Sequence, residues 1–109
     1  MFARIEEGRG VFTLVNTFHT PAERQGAVVD ALRRFTLETA AGLEGFVGAS
    51  VHASLDGRRV LNYVQWRSRE HLQAMLARPE AKAHMAEVGA LAEGVDPVPY
   101  RVAFVHAVG

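Results

Sequence analysis

The spacing of apolar positions alternates between a period of two and a period near 3.6, and the changes divide the chain into elements. Val11 to His19 (VFTLVNTFH) is β-branched and aromatic and reads as a strand. Its alternate set, Phe12, Leu14, Asn16 and Phe18, is apolar except for one amide. Thr20-Pro21-Ala22-Glu23 is a helix start, with Thr20 as N-cap, proline at the first helical position and Glu23 at the third. Val28, Leu32, Phe35 and Thr39 recur at helical spacing and mark its buried stripe, and Gly42 or Gly45 ends it. Two strands follow, Phe46–Leu55 and Arg58–Arg67, around Asp56-Gly57, a dipeptide that predicts a type I′ hairpin turn. With a two-residue loop, Leu55 faces Arg58, Val51 faces Asn62 and Val47 faces Trp66. One face of the hairpin then carries Val47, Ala49, Val51, Ala53, Val60, Asn62, Val64 and Trp66. The other carries Phe46, Ser50, His52, Leu61, Tyr63 and Gln65. Ser68 can cap a second helix whose stripe is Leu72, Met75 and Leu76. Pro79 interrupts it, and Ala81, His84, Val88 and Leu91 share one face of a further piece. Asp96-Pro97-Val98-Pro99 reads as a turn entering a last strand, Tyr100 to Val108.

The order β-α-β-β-α-β predicts an α+β, ferredoxin-like domain with an antiparallel sheet over residues 11–109. Residues 1–10 are charged and glycine-containing and read as a loose arm. The helices cover one sheet face. The other presents Phe46, Leu61, Tyr63, Val102 and Phe104, too apolar for water. A second copy of the same sheet is the simplest cover, so a homodimer with a barrel-like core is expected.

Composition narrows the class of function. The 109 residues are 49% hydrophobic and 22% charged, which suits one globular domain. A formal net charge of zero gives no electrostatic reason to expect nucleic acid or a membrane surface as partner. With no cysteine there is no disulfide framework, thiol nucleophile or thiolate metal site. MFARIEEGRG lacks the apolar core of a signal peptide, so a cytoplasmic location is the expectation.

Candidate chemistry gathers on the face between sheet and helices. The five histidines form no HxxxH or HExxH pair, and there is no GxSxG, P-loop or GxGxxG motif. Asn16, Asn62, Trp66 and His84 all project inward on this count. A buried amide without partners costs about 1–3 kcal/mol. Asn62 is therefore either tied to backbone or kept for a ligand. Trp66 reads as a core aromatic, or as an indole that stacks on a flat ligand and donates one hydrogen bond. His84 has three readings: a hydrogen-bonded core side chain, a general base, or an axial ligand to haem iron. Phe18, Phe35, Leu72, Met75 and Met85 would complete an apolar wall. An apolar space with a few convergent polar groups is the usual form of a small-molecule site.

The run His52-Ala-Ser-Leu-Asp-Gly, continued by Val60-Leu-Asn-Tyr-Val-Gln-Trp-Arg-Ser68, closely resembles the antibiotic biosynthesis monooxygenase family. Glu44-Gly45-Phe46 and Pro79-Glu80 add to the likeness, which runs from about Val11 to Val108. The resemblance implies a dimeric α+β barrel and a cofactor-independent oxygenase that uses O2 to convert a planar phenolic, polyketide-like substrate to a quinone. By the match, Asn62 hydrogen-bonds a substrate oxygen and Trp66 stacks on the ring. A pocket tyrosine and arginine of one member fall at Leu72 and about Met85 here. The resemblance thus leaves proton handling to His84 or Asn16. A sister group with the same fold degrades haem with an Asn, a Trp and a His ligand. Asn16 matches that Asn, His84 matches that His with a one-residue gap, and Met75 stands at the Trp position. Haem binding is the alternative this second likeness implies, and a non-catalytic dimeric binder is a third.

Overall fold

The computed structural model describes residues 11–108 of the chain; the arm expected over residues 1–10 lies outside them. Strand β1, Phe12–His19, leads through a short 3-10 turn, Ala22–Arg24, into helix α1, Gln25–Glu38. Strands β2, Phe46–Ala53, and β3, Arg59–Trp66, form the hairpin. Helices α2, Arg69–Leu76, and α3, Pro79–Leu91, are the two halves of the second crossover, and β4, Gly94–Tyr100, completes the sheet. The sheet order is β2-β3-β1-β4 with every pair antiparallel. That is the arrangement expected of the split βαβ pattern.

Alternation along β1 and β3 puts Phe12, Leu14, Asn16, Phe18, Val60, Asn62, Val64 and Trp66 on the helix side. The apolar members fall into two clusters. Phe18 and Val60 pack with Val28, Ala31, Leu32 and Val88. Val64 and Trp66 pack with Ala40 and Leu72, flanked by Phe12, Leu14, Phe35, Phe46 and Met75. Val28, Val60 and Trp66 are fully buried, each worth about 1.5–3 kcal/mol of transfer free energy.

The hairpin keeps the expected register through Ala53↔Val60, Val51↔Asn62 and Ala49↔Val64. Its turn is not type I′. No non-glycine residue has positive φ among the described residues, so Asp56 does not take the left-handed conformation; of the two turn residues only Gly57 does, at 80°. The chain reverses earlier, with Gly57 N–H donating to Ser54 O, and Asp56 fastens the loop by accepting from Ser54 Oγ and Arg58 N–H. These bonds, with the Arg59 guanidinium, hold the Asp56 carboxyl far below the usual carboxylate range. A bulge at Val47 shifts the far end, so Phe46, not Val47, opposes Trp66. Phe46 was expected on the outer face; the bulge brings its ring edge-on to the indole at 5.4 Å.

Two further expectations are corrected. Thr20 does not cap α1: the 3-10 turn intervenes with Pro21 at its own N-cap, Arg24 is the N-cap of α1, and neither start is capped by a side chain. Thr39 is the C-cap of α1 and only half-buried. The last strand is Gly94–Tyr100, not Tyr100–Val108, and Asp96-Pro97-Val98-Pro99 lies inside it. Proline is admissible there because β4 is an edge strand. Pro97 and Pro99 oppose Asn16 and Leu14, two residues apart, so both place their missing N–H on the outer side of the sheet. Elsewhere the sequence signals hold. Ser68 caps α2 by accepting from His71 N–H, and Pro79 separates α2 from α3 as its first residue.

Gly45 links α1's exit to β2. Its φ is +87°, and a Cβ there would run into the His71 ring. A Cβ on Gly42 would meet nothing within 4 Å. Gly45→Ala should therefore lower stability by at least about 1–2 kcal/mol, whereas Gly42→Ala should be near neutral. Urea unfolding of the two variants side by side checks this.

Candidate active site

Asn16 and Asn62 are direct partners in the β1–β3 ladder. Each lies between apolar neighbours of its own strand: Leu14 and Phe18 flank one, Val60 and Val64 the other. The two amides thus form a polar band across the middle of the helix-side face, between the two apolar clusters. Trp66 lies four residues along β3 from Asn62, on the same face, at the far end of the second cluster.

Asn62 Oδ1 and Trp66 Nε1 are both buried and have no hydrogen-bond partner. The amide is therefore not tied to backbone through that oxygen. Burial is not what denies them partners, because the chain satisfies another inaccessible polar group: Gln65 Nε2 donates to Thr13 Oγ1 at 3.0 Å on the opposite sheet face. Leaving such groups unsatisfied costs about 1–3 kcal/mol each. One is an acceptor and one a donor, so a guest carrying an O–H and a carbonyl or phenolate oxygen would complete both. Thr20 Oγ1 is also buried and unpartnered, at the end of β1 and off this band.

His84 lies on the inner side of α3, between Ala81 and Val88, both buried. Its ring stacks on Phe35 of α1, centroids 4.3 Å apart and planes within 7°. Desolvation holds its pKa below the usual histidine value; Glu87 opposes that shift and Arg34 adds to it. The imidazole is therefore neutral at pH 7 and able to accept a proton. Arg34 ties the helices beside it, bonding Asp30 of its own helix at 3.0 Å and Glu87 of α3 at 2.7 Å.

The other expected wall residues are unevenly placed. Leu72 is buried, and Phe35 and Met75 pack half-buried against the same cluster as Trp66. Phe18 is buried in the other cluster. Met85 is 57% exposed and stands apart from the rest, one residue round from His84 on the outside of α3. The structure adds Phe46, whose place against Trp66 depends on a bulge that no local signal announces. It also adds the Arg34–Glu87 bridge, 53 residues apart in sequence and invisible to spacing. An open cleft of about 790 Å³ lies on the opposite sheet face, lined by Thr13, Val15, Tyr63, Tyr100, Phe104 and other residues of 101–106. On the helix side the protein closes over Trp66, which is fully buried. Among the described residues, no cluster of His, Cys, Asp or Glu could hold a metal ion.

Comparison with known proteins bears directly on this geometry. The model of the family described as antibiotic biosynthesis monooxygenase matches residues 11–87. Tetracenomycin-F1 monooxygenase from Streptomyces glaucescens is 40% identical over 82 residues, covering 75% of this chain and 73% of that protein. The fold superposes with a TM-score of 0.81 on the monooxygenase of the Streptomyces coelicolor gene ActVA-Orf6, solved in complex with nanaomycin D. That protein is 25% identical, over 90% of this chain and 92% of that one. SnoaB, a cofactor-independent oxygenase from Streptomyces nogalater, shares the fold with a TM-score of 0.74 at 19% identity, over 88% of this chain and 96% of that one. The matched span includes both strands of the amide band, the indole and all three helices as far as His84, and on that ground the chain belongs to the antibiotic biosynthesis monooxygenase family.

Proposed function

We infer that the protein is a cofactor-independent monooxygenase that oxidises a planar phenolic compound to a quinone with O2. The observation that carries this reading is the pair of buried, unpartnered polar atoms, Asn62 Oδ1 and Trp66 Nε1, on one apolar face. Kinship with a tetracenomycin-F1 monooxygenase and with an enzyme that holds nanaomycin D supports the substrate class.

The chemistry follows from the substrate and from what these side chains offer. Asn62 Oδ1 accepts the phenolic O–H of the incoming guest, and the same carboxamide, turned about its axis, donates Nδ2–H once the oxygen is anionic. His84, neutral because it is desolvated, takes the proton. The anion passes one electron to O2, and superoxide and the carbon radical combine to a peroxide. Trp66 Nε1–H donates to that oxygen. The O–O bond then breaks, the remaining C–H proton leaves, and water departs. The ring C–H carbon becomes C=O, one oxygen atom enters the product, the other leaves as water with the phenolic and C–H protons, and all four electrons come from the substrate. Entry requires a helix to give way. α2, eight residues long with only Leu72 buried, is the least anchored candidate.

Replacing Asn62 by Leu and Trp66 by Phe removes the unpartnered atoms. Asn62→Leu should melt at or above the wild-type temperature and Trp66→Phe, which also opens a cavity, below it but folded, while oxygen uptake with an anthrone or a dihydroxynaphthalene falls at least tenfold in both. Loss of fold, or unchanged turnover, would count against the assignment.

The base sets the pH profile. His84 must be neutral to act and its pKa is lowered, so kcat/KM should rise with pH with its midpoint below the ordinary histidine value of about 6.5. Stability moves the same way: the unfolded chain binds the extra proton first, so the contribution present above about pH 6.5 is lost as pH falls. His84→Gln should remove the acid limb of the rate profile.

The outer sheet face supports a homodimer. Val98 and Tyr100 of β4 are 41% and 55% exposed there, opposite Val15 and Thr13, and Phe104 beyond them is 78% exposed. A second copy of this face is the proposed cover. Light scattering should give about twice 11.9 kDa for the wild type, and Val98→Lys should shift the mass toward the monomer.

A further inference from the structure

Glu87 follows His84 by three residues on α3, a spacing that makes their side chains neighbours on the helix surface. A carboxylate so placed favours the protonated ring. It is engaged elsewhere. Arg34 of α1 reaches across the seam between the helices and donates Nη2–H to Glu87 Oε2 at 2.7 Å. Its Nε–H donates to Asp30 Oδ2 at 3.0 Å, and Asp30 Oδ1 accepts from Arg33 Nη2 at 2.7 Å. The guanidinium is thereby held on two sides, by its own helix and by α3. The next residue of α1, Phe35, supplies the ring on which His84 stacks. Two consecutive residues of α1 thus act on one histidine, one by covering its face and the other by occupying the carboxylate beside it. Glu87 and Arg34 are the charges that bear on the ring. On α3 itself Glu80 is taken by Arg78 at 3.0 Å, and Lys82 is exposed. The ionisable residues of α2, Arg69, Glu70 and His71, lie in its first turn. The sheet rows that face the helices, from Ala49, Val51 and Ala53 of β2 through β3 and β1 to Val95, Pro97 and Pro99 of β4, hold no ionisable side chain.

We propose that Arg34 is a positioning residue for the reaction: it holds Glu87 across the α1–α3 seam, keeps that carboxylate from pairing with the imidazole, and so leaves His84 uncharged when the substrate arrives. The proposal rests on the reading of His84 as the base. An imidazole paired with a carboxylate would stay protonated over more of the pH range and could accept no further proton. With Arg34 in place the negative charge of Glu87 is met by a positive one, and burial against Phe35 decides the balance in favour of the neutral ring. The same bridge could serve as a brace between helices and nothing more, but the two roles differ in sign. A brace is lost equally whichever partner is removed. A charge arrangement is not: removing Arg34 frees Glu87 for the ring, whereas removing Glu87 withdraws the anion and leaves the cation.

Arg34→Gln and Glu87→Gln, compared with the wild type, separate the two roles. The titration of His84 is followed by proton NMR, its Hε1 signal assigned by its absence in His84→Gln; this readout needs no substrate. The acid limb of kcat/KM is measured with a dihydroxynaphthalene, each profile taken relative to its own plateau. In Arg34→Gln the His84 titration should move to higher pH, and kcat/KM on the acid limb should fall about two- to fivefold, the range set by one exposed ion pair. In Glu87→Gln the titration should move to lower pH. Arg34→Lys, which keeps the charge, should hold it near the wild-type position. Thermal melts establish that the variants are folded and measure the brace, which both glutamine variants lose alike. NMR shifts of the same sign in those two folded variants, or no shift in either, overturn the role of Arg34 and leave the base reading untouched. Opposite shifts that the rate profile does not follow overturn the base reading, and with it the part of Arg34 in the reaction.

Discussion

The antiparallel register of β1 against β3 is the constraint on which the rest depends. It places two amides opposite each other in the centre of a face that is otherwise apolar. A core built for stability alone would fill that row with Leu or Val. Two buried polar atoms left unsatisfied at about 1–3 kcal/mol each are a sizeable fraction of a typical domain stability of about 5–15 kcal/mol. Departures of this kind from local rules concentrate where a protein does its work. The split of the interior into two clusters, one either side of the amides, is the packing consequence.

The helices answer the same constraint. α1 and α3 meet above the sheet through the Phe35–His84 stack and, at the surface beside it, through Arg34 held between Asp30 and Glu87. The stack keeps the imidazole in low-dielectric surroundings, which favour its neutral form. Only α2 and the Pro79 break lie outside this brace. The arrangement separates a fixed half, in which sheet, α1 and α3 set the positions of Asn16, Asn62, Trp66 and His84, from a lightly held segment over the indole end.

Much of this was legible in the sequence, and the exceptions have physical reasons. Element order, the capping Ser68, the break at Pro79 and the pairing of Val51 with Asn62 all follow from local signals. Hairpin register survived although the turn type did not, because adding one residue to each side of the loop leaves the pairing sum unchanged. Asp56 works as a side-chain acceptor rather than as a residue of positive φ. The bulge at Val47 turned over one residue's face and brought Phe46 inward; its cause is tertiary, so no dipeptide announces it. Prolines in β4 looked like a turn because strand position at an edge is a property of the assembled sheet. For the candidate site, the shared face of Asn16, Asn62 and Trp66 was readable because alternation has a strict period. Met85 was not, since one position on a helix separates the inner face from solvent.

The same prolines limit how copies of this chain can join. A sheet lengthens by offering the free N–H and C=O groups of its outermost strand to a newcomer, and on the β4 side two of those donors are missing, at Pro97 and Pro99. Rim-to-rim growth into a continuous ribbon is therefore discouraged on that side. Stacking of one broad surface on another needs no such donors, and so the placement of two imino acids biases this fold toward a closed pair over an open-ended polymer.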